Sequence, residues 1–250
     1  MAKQIGLIKI KGKLGDTSFY KSKDGYLLRE KGGVDGNRIK SDPRFKRTRE
    51  NMSEFGHSTQ MASKLRKMLA PVIQKIKDGR MSNRLVAKMR EVMDTDITHA
   101  RGERTVVDGN LGLLTGFDFN SGSPLSTTYF GPFTPNLDRA TGDVDIEIPV
   151  FDPEDFLASP AESSHFRFVL GVLEWDPLAD SGKLVVERSA YLPNNATLSG
   201  ALNLAGQITA NSTLPVLFVL GVEFAQQING SNYVLSDSGF VSARIVEVSV

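Results

Sequence analysis

Phe166-Arg167-Phe168-Val169-Leu170-Gly171-Val172-Leu173 is one of the two longest apolar stretches in this 250-residue chain. The other, residues 214–224, carries the same five residues at its centre: Phe168-Val169-Leu170-Gly171-Val172 is echoed by Phe218-Val219-Leu220-Gly221-Val222. Both stretches have strand length and fall well short of the roughly 20 apolar residues that cross a membrane as a helix. Near-continuous apolar runs rich in valine and phenylalanine, bounded by turn residues, read as buried strands. Central strands of two facing sheets would explain the echo.

Working outward, short β-like runs recur from residue 106 to the end, separated by Gly, Pro, Asn, Asp and Ser. The expected strands are 113–119, 127–130, 143–149, 166–175, 184–192, 197–204, 214–225, 233–235 and 242–248. Such spacing predicts an antiparallel, immunoglobulin-like β-sandwich. Asp143, Asp145 and Glu147 alternate along one of these runs, which places all three carboxylates on one face. A calcium-binding rim and a solvated strand face are the two readings of that pattern.

Before residue 106 the texture differs. Residues 4–30 read as a β-meander: Ile5, Leu7 and Ile8-Lys9-Ile10 form a first strand, 12–16 a turn, 17–21 a second strand and 26–29 a third. Asp24-Gly25 supplies the hairpin between the last two. Three strands of this size cannot stand alone and must pack on something. Asp42-Pro43 then opens a long helix, with Asp42 accepting from free backbone N–H groups and Pro43 in the first turn. Phe45, Met52, Phe55, Ala62, Leu65 and Leu69 form its apolar stripe, and Gly56 within the stripe suggests a close backbone approach. Pro71 starts a second, short helix, and Ser82 caps a third that carries Leu85, Val86, Met89, Val92 and Met93 on one face. The expected organisation is α+β: a basic meander-plus-helix domain over 1–105 and an acidic sandwich domain over 106–250.

The net charge of +1 conceals a strong asymmetry. Residues 1–105 hold 25 Lys and Arg against 12 Asp and Glu, a net of +13; residues 106–250 hold 5 against 17, a net of −12. Opposite charge on this scale points to polyanions or to a charge-complementary partner, including another copy of the chain. The chain has no cysteine, which excludes disulfides and thiolate metal sites and suits a reducing, cytoplasmic setting. Residues 1–13 lack the continuous apolar core of a signal peptide.

Catalytic patterns are missing from the sequence. His57, His99 and His165 are scattered without a second ligand at helical spacing, and Ser164-His165 has no nucleophile-elbow context. Asp94 and Asp96 could bind a cation, although a polar helix end is the commoner meaning of such a pair. The glycine-rich segments lack the strand-to-helix setting and Lys-Ser/Thr pair of a phosphate loop. No catalytic residue, cofactor or metal is expected, and an enzyme is the weakest class.

The basic part interleaves cations with Phe19, Tyr20, Tyr26 and Phe45. Cations meet phosphates and aromatic rings stack bases, so a nucleic-acid surface is one reading. Zinc ligands and the signatures of the common RNA-binding modules are absent. A second reading makes Phe19, Tyr20 and Phe45 core residues and the cations a solvated face. A third pairs the basic and acidic parts: within one chain this docks the halves, and between copies a head-to-tail contact closes into rings or runs on as filaments. Phe19, Tyr20, Arg29, Arg47 and Arg49 are the contact residues expected for assembly or for nucleic acid.

Gly12-x-x-Gly15-x-x-Ser18-Phe19-Tyr20-Lys21, Gly25-Tyr26-Leu27 and Arg29-Glu30-Lys31-Gly32-Gly33 form a distinctive wording. Asp42-Pro43-x-Phe45-x-Arg47-Thr48-Arg49-Glu50-Asn51, followed by Glu54-Phe55-Gly56, extends it. Over about residues 4–110 the chain resembles a group of uncharacterised Bacteroidota proteins. The resemblance implies a bacterial source and brings no activity, cofactor or site residues. The combined expectation is a non-enzymatic, homo-oligomeric structural subunit with no membrane partner; the alternative is a nucleic-acid-binding protein.

Overall fold

The structure, a computed structural model, describes residues 2–22, 24–30, 32–197, 200–235 and 241–250. Contacts divide the chain into two compact units, Met1–Arg49 and Glu50–Val250. The compositional change near residue 105 lies inside the second unit.

The first unit contains β1 (Ala2–Lys3), β2 (Gly12–Leu14), β3 (Thr17–Ser22) and β4 (Gly25–Glu30), then the short helix α1 (Gly36–Ser41). The strands form one antiparallel sheet in the order β1-β4-β3-β2. The β2–β3 loop has two residues, and Gly15 at φ +55 takes the left-handed conformation that suits a tight hairpin. Gly12-Lys13-Leu14, expected as a turn, is therefore a strand, while residues 5–10, expected as the first strand, are not. Their side chains are bare: Ile5 is 90%, Leu7 104% and Ile8 84% exposed. Asp42 accepts from the Arg44 N–H at 3.0 Å and so caps the turn at Pro43, as expected.

The second unit is built on a strongly paired sheet. Its helices are α2 (Lys46–Met68, entering from the first unit), α3 (Ala70–Ile73), α4 (Met81–Asp94), α5 (Leu125–Thr128) and α6 (Pro153–Phe156). Strands β5 (Thr134–Asp138), β6 (Asp143–Ile148) and β10 (Leu202–Gln207) make a three-stranded antiparallel sheet in the order β10-β6-β5. The larger, six-stranded sheet contains β7 (His165–Asp176), β8 (Ser181–Arg188), β9 (Leu192–Pro193), β11 (Val216–Ile228), β12 (Ser231–Val234) and β13 (Val241–Ser249). At its centre β7 pairs β11.

Alternation along β7 and β11 explains why both read as unbroken apolar runs. Phe166, Phe168, Leu170 and Val172, with Phe218, Leu220 and Val222, face one core together with Val144, Ile146 and Leu204 of the smaller sheet. Val169, Leu173 and Trp175, with Leu217 and Val219, face a second core shared with Leu65, Leu69, Leu85 and Met89 of the helices. Both faces of the sheet are covered, so neither needs polar residues. The two echoed pentapeptides are neighbours in one sheet, not members of facing sheets: Phe168 pairs Val222, Leu170 pairs Leu220 and Val172 pairs Phe218.

Gly171 is required by the helix above it. A Cβ there would lie 2.6 Å from Cγ2 of Val72 on α3, and a valine side chain has little freedom to yield. Gly171→Ala is expected to lower stability by about 1–3 kcal/mol in urea unfolding, with Val72→Ala recovering part of the loss.

Other expectations are corrected. Residues 113–119 begin in a 3-10 turn (Leu111–Leu114) and contribute only an isolated bridge from Asp118 to Arg244, while of 127–130 the first two residues end α5 and Tyr129 forms an isolated bridge to Leu157. The segment 134–138 is a strand that turn-forming residues concealed. The run expected over 197–204 starts at Leu202, and Leu198 and Ser199 lie outside the described residues. On α2 the buried residues are Glu54, Ser58, Met61, Ala62 and Leu65, whereas Met52 and Phe55 are exposed. Among the described residues, nothing beyond the neighbouring turns of α2 itself lies within 4 Å of where a Cβ on Gly56 would stand. Among the described residues no helix is long and apolar enough to cross a membrane.

Candidate interaction surface

The register of the first unit sorts its side chains into two faces. Lys13, Ser18 and Arg29 lie in one row across β2, β3 and β4, and Tyr20 and Leu27 in the row after next, with Lys3 beside them on β1. These residues share a face because directly paired residues point to the same side and successive rows alternate. The Arg29 guanidinium lies over the Tyr20 ring, 5.8 Å from its centroid. A hollow of about 520 Å³ is bordered by Gly12, Lys13, Ser18, Phe19, Tyr20 and Arg29. On the opposite face Phe19 pairs Leu28, flanked by Leu14 and Tyr26.

Of the five expected contact residues, the structure brings Tyr20 and Arg29 together and sends Phe19 to the other face. Arg49 directs Nη1 to the carbonyl oxygens of Ile39 at 2.8 Å and Asp42 at 2.9 Å, so its guanidinium fastens α1 to the start of α2. Arg47 is exposed on the first turn of α2. Lys13 belongs to the face and was missed, because residues 12–14 read as a turn.

No described residue of the first unit is buried, although the unit contains a four-stranded sheet and a helix. It holds 14 Lys and Arg against 5 Asp and Glu, a net of +9, leaving the remainder at −8. The charge separation seen in the sequence therefore follows the two compact units as well.

In the second unit the buried charges form internal ties. Glu54 is 1% exposed; its Oε1 accepts from Arg104 Nε and the Gly102 N–H, both at 2.8 Å, and its Oε2 from Arg104 Nη2 at 3.1 Å and Arg90 Nη2 at 3.4 Å. The Arg104 hydrogen bonds hold its carboxyl below the usual range. Glu223 accepts from Lys75 Nζ at 3.0 Å and from Arg167 Nε at 2.9 Å and Nη2 at 2.6 Å. Arg167 also lies 4.5 Å from the Tyr191 ring centroid.

The carboxylates Asp96 and Asp108 and the His99 ring bring ligand atoms within 4.8 Å of one another. Asp96 Oδ1 accepts from the Thr98 and His99 N–H groups and the Thr98 hydroxyl, and Oδ2 from the Thr105 N–H. Those bonds make Asp96 the tie of the 96–105 loop, which is the helix-end meaning of the acidic pair. Asp94 is paired with Arg104 at 2.9 Å.

His57 accepts from the Val106 N–H at 3.1 Å through Nε2, and burial pushes its pKa down. Backbone and hydroxyl donors hold Asp78 and Asp96 well below the ordinary carboxylate range. For these carboxylates and for His57 the folded form binds protons more weakly than the unfolded chain. His99, whose ring is held above its ordinary value by its hydrogen bond to Asp96, opposes His57 near pH 6.5, so stability is expected to fall as pH drops from about 5 toward 3 through the carboxylates. Urea midpoints that rise or stay level over that range would contradict the assignment.

No family model, curated protein or solved structure matches this chain.

Proposed function

We propose that this chain is a non-enzymatic structural subunit that self-associates, into rings or filaments, through its basic first unit and the acidic, β-rich remainder. One observation carries the reading: the first unit has an ordered sheet, exposed Ile5, Leu7, Ile8 and Leu14, and no buried residue among those described. A sheet of this size without a core is unstable alone, and exposed apolar side chains at this density mark a contact surface. The +9 and −8 of the two units make a second copy a complementary partner. The contact would be heterologous, and such contacts close into rings or propagate. In the same reading the β-rich part is a sandwich, supported by the core shared between its two sheets; the immunoglobulin-like form is its finer version. The absence of cysteine suits a cytoplasmic setting.

A second reading rests on the face that joins Lys3, Lys13 and Arg29 to Tyr20, which pairs phosphate-binding cations with a ring able to stack on a base. The two readings separate after nuclease treatment. Negative-stain electron microscopy should show rings or filaments if the chain assembles by itself. Isolated particles of single-chain size that bind labelled DNA or RNA at low salt would instead favour the nucleic-acid reading. Assemblies with no nucleic-acid affinity would eliminate it.

A further inference from the structure

Residues 8–11, Ile8-Lys9-Ile10-Lys11, alternate apolar and basic with period two, the pattern of a half-buried strand, yet they belong to no strand. Pairing on β3 stops at Gly12, whose φ of +130 turns the chain aside. The preceding loop is held by Gln4, whose side chain donates to the carbonyls of Ile10 at 3.2 Å and Leu27 at 3.1 Å and accepts from the Ile10 N–H at 2.9 Å. Ile8 and Ile10 are left 84% and 51% exposed.

A complementary edge exists in the second unit. Strand β5 pairs β6 on one side, and among the described residues no strand pairs its other side. Asp138 on β5 and Asp143, Asp145 and Glu147 on β6 all point to the outer face of this sheet, away from the core that takes Val144, Ile146 and Ile148. Among the described residues none of these four carboxylates is ion-paired. On the inner side of β5, Leu137 packs at the margin of the core between the sheets.

We propose that residues 8–11 of one copy add as a strand to the free edge of β5 in a second copy. The alternation then meets both surfaces at once. Ile8 and Ile10 extend the core margin beside Pro135 and Leu137, while Lys9 and Lys11 lie on the face of the four carboxylates. Strand addition supplies backbone hydrogen bonds to an edge that lacks them, and side-chain alternation supplies the selectivity. The proposal rests on the self-association described above and names the surfaces that make it.

The test exchanges the charges in the full-length chain. K9E/K11E reverses the segment and D143K/E147K reverses the face; all four residues are exposed, Lys9 donating to the Gln4 carbonyl and Asp143 accepting from the Thr141 hydroxyl, and circular dichroism checks folding of each variant. Each variant alone is expected to show an apparent dissociation constant raised at least about 100-fold over the parent in sedimentation velocity. An equimolar mixture of the two should recover association to within about tenfold of the parent, because each reversed segment then meets a reversed face. A parent that assembles while either variant assembles equally well, or a mixture that does not recover, overturns this strand addition and leaves self-association standing. A monomeric parent overturns both.

Discussion

Replacing Glu54 with alanine is expected to destabilise the 50–250 unit by about 3–5 kcal/mol, the usual result of removing one partner of a buried ion pair. The carboxylate is sealed on α2 and receives both faces of the Arg104 fork, the Gly102 N–H and Arg90. Without it, two guanidinium groups and an amide lose their shared acceptor, and the loop over 96–105 loses its buried link to α2, keeping the contacts of Arg101 with Asn51 and Glu50. Glu54→Gln keeps the volume and one acceptor oxygen but removes the charge, so it should fall between alanine and the parent. Urea unfolding followed through Trp175, which is fully buried, reads both variants. An alanine variant within about 1 kcal/mol of the parent would show that the tie contributes little to stability.

Phe168→Ala is expected to cost a similar amount, about 3–5 kcal/mol, for a different reason. Its ring is 0% exposed between the two sheets and makes edge contacts with Tyr129 at 5.0 Å, Phe166 at 5.7 Å and Phe151 at 6.1 Å. Truncation leaves a cavity that neighbours anchored on paired strands fill poorly. Phe168→Leu, which retains most of the volume, should lose clearly less. Phe19→Ala in the first unit is a useful contrast: this ring is only half-buried, so the substitution should leave the urea midpoint of the second unit in place. A shift comparable with that of Phe168→Ala would mean that Phe19 belongs to a folded core.

The parts of the fold that could be read from sequence are those that local periodicity controls. The apolar runs at 166–175 and 214–225 became the two central strands, and Asp143, Asp145 and Glu147 took one face of β6 with valine and isoleucine on the other. Periodicity failed where distant residues decide. The first half of α2 seemed to bury Met52 and Phe55, yet Glu54 is the buried residue, because Arg104, fifty positions away, neutralises it. Strand β5 was hidden by Pro135, Asn136 and Asp138, residues that normally mark turns but are tolerated on an edge.

The candidate surface was legible to a similar degree. Tyr20 and Arg29 met across β3 and β4, as an interleaved aromatic and cation pattern suggests. Phe19 could not share their face, since adjacent residues of a strand point to opposite sides. Arg49 was drawn inward by the carbonyls of Ile39 and Asp42, whose positions depend on how α1 ends. The alternating Ile8-Lys9-Ile10 reads as part of a strand, and the structure leaves it without a strand to join. That mismatch between local preference and observed pairing is the feature from which the proposed interface starts.

The central claim, that the chain is a self-associating subunit joined through oppositely charged parts, is tested most directly by light scattering on nuclease-treated protein at about 50 mM and 1 M salt. A mass several times the 27.3 kDa of one chain is expected at low salt, with a clear decrease at high salt. A mass of 27.3 kDa at both salt concentrations would contradict that claim.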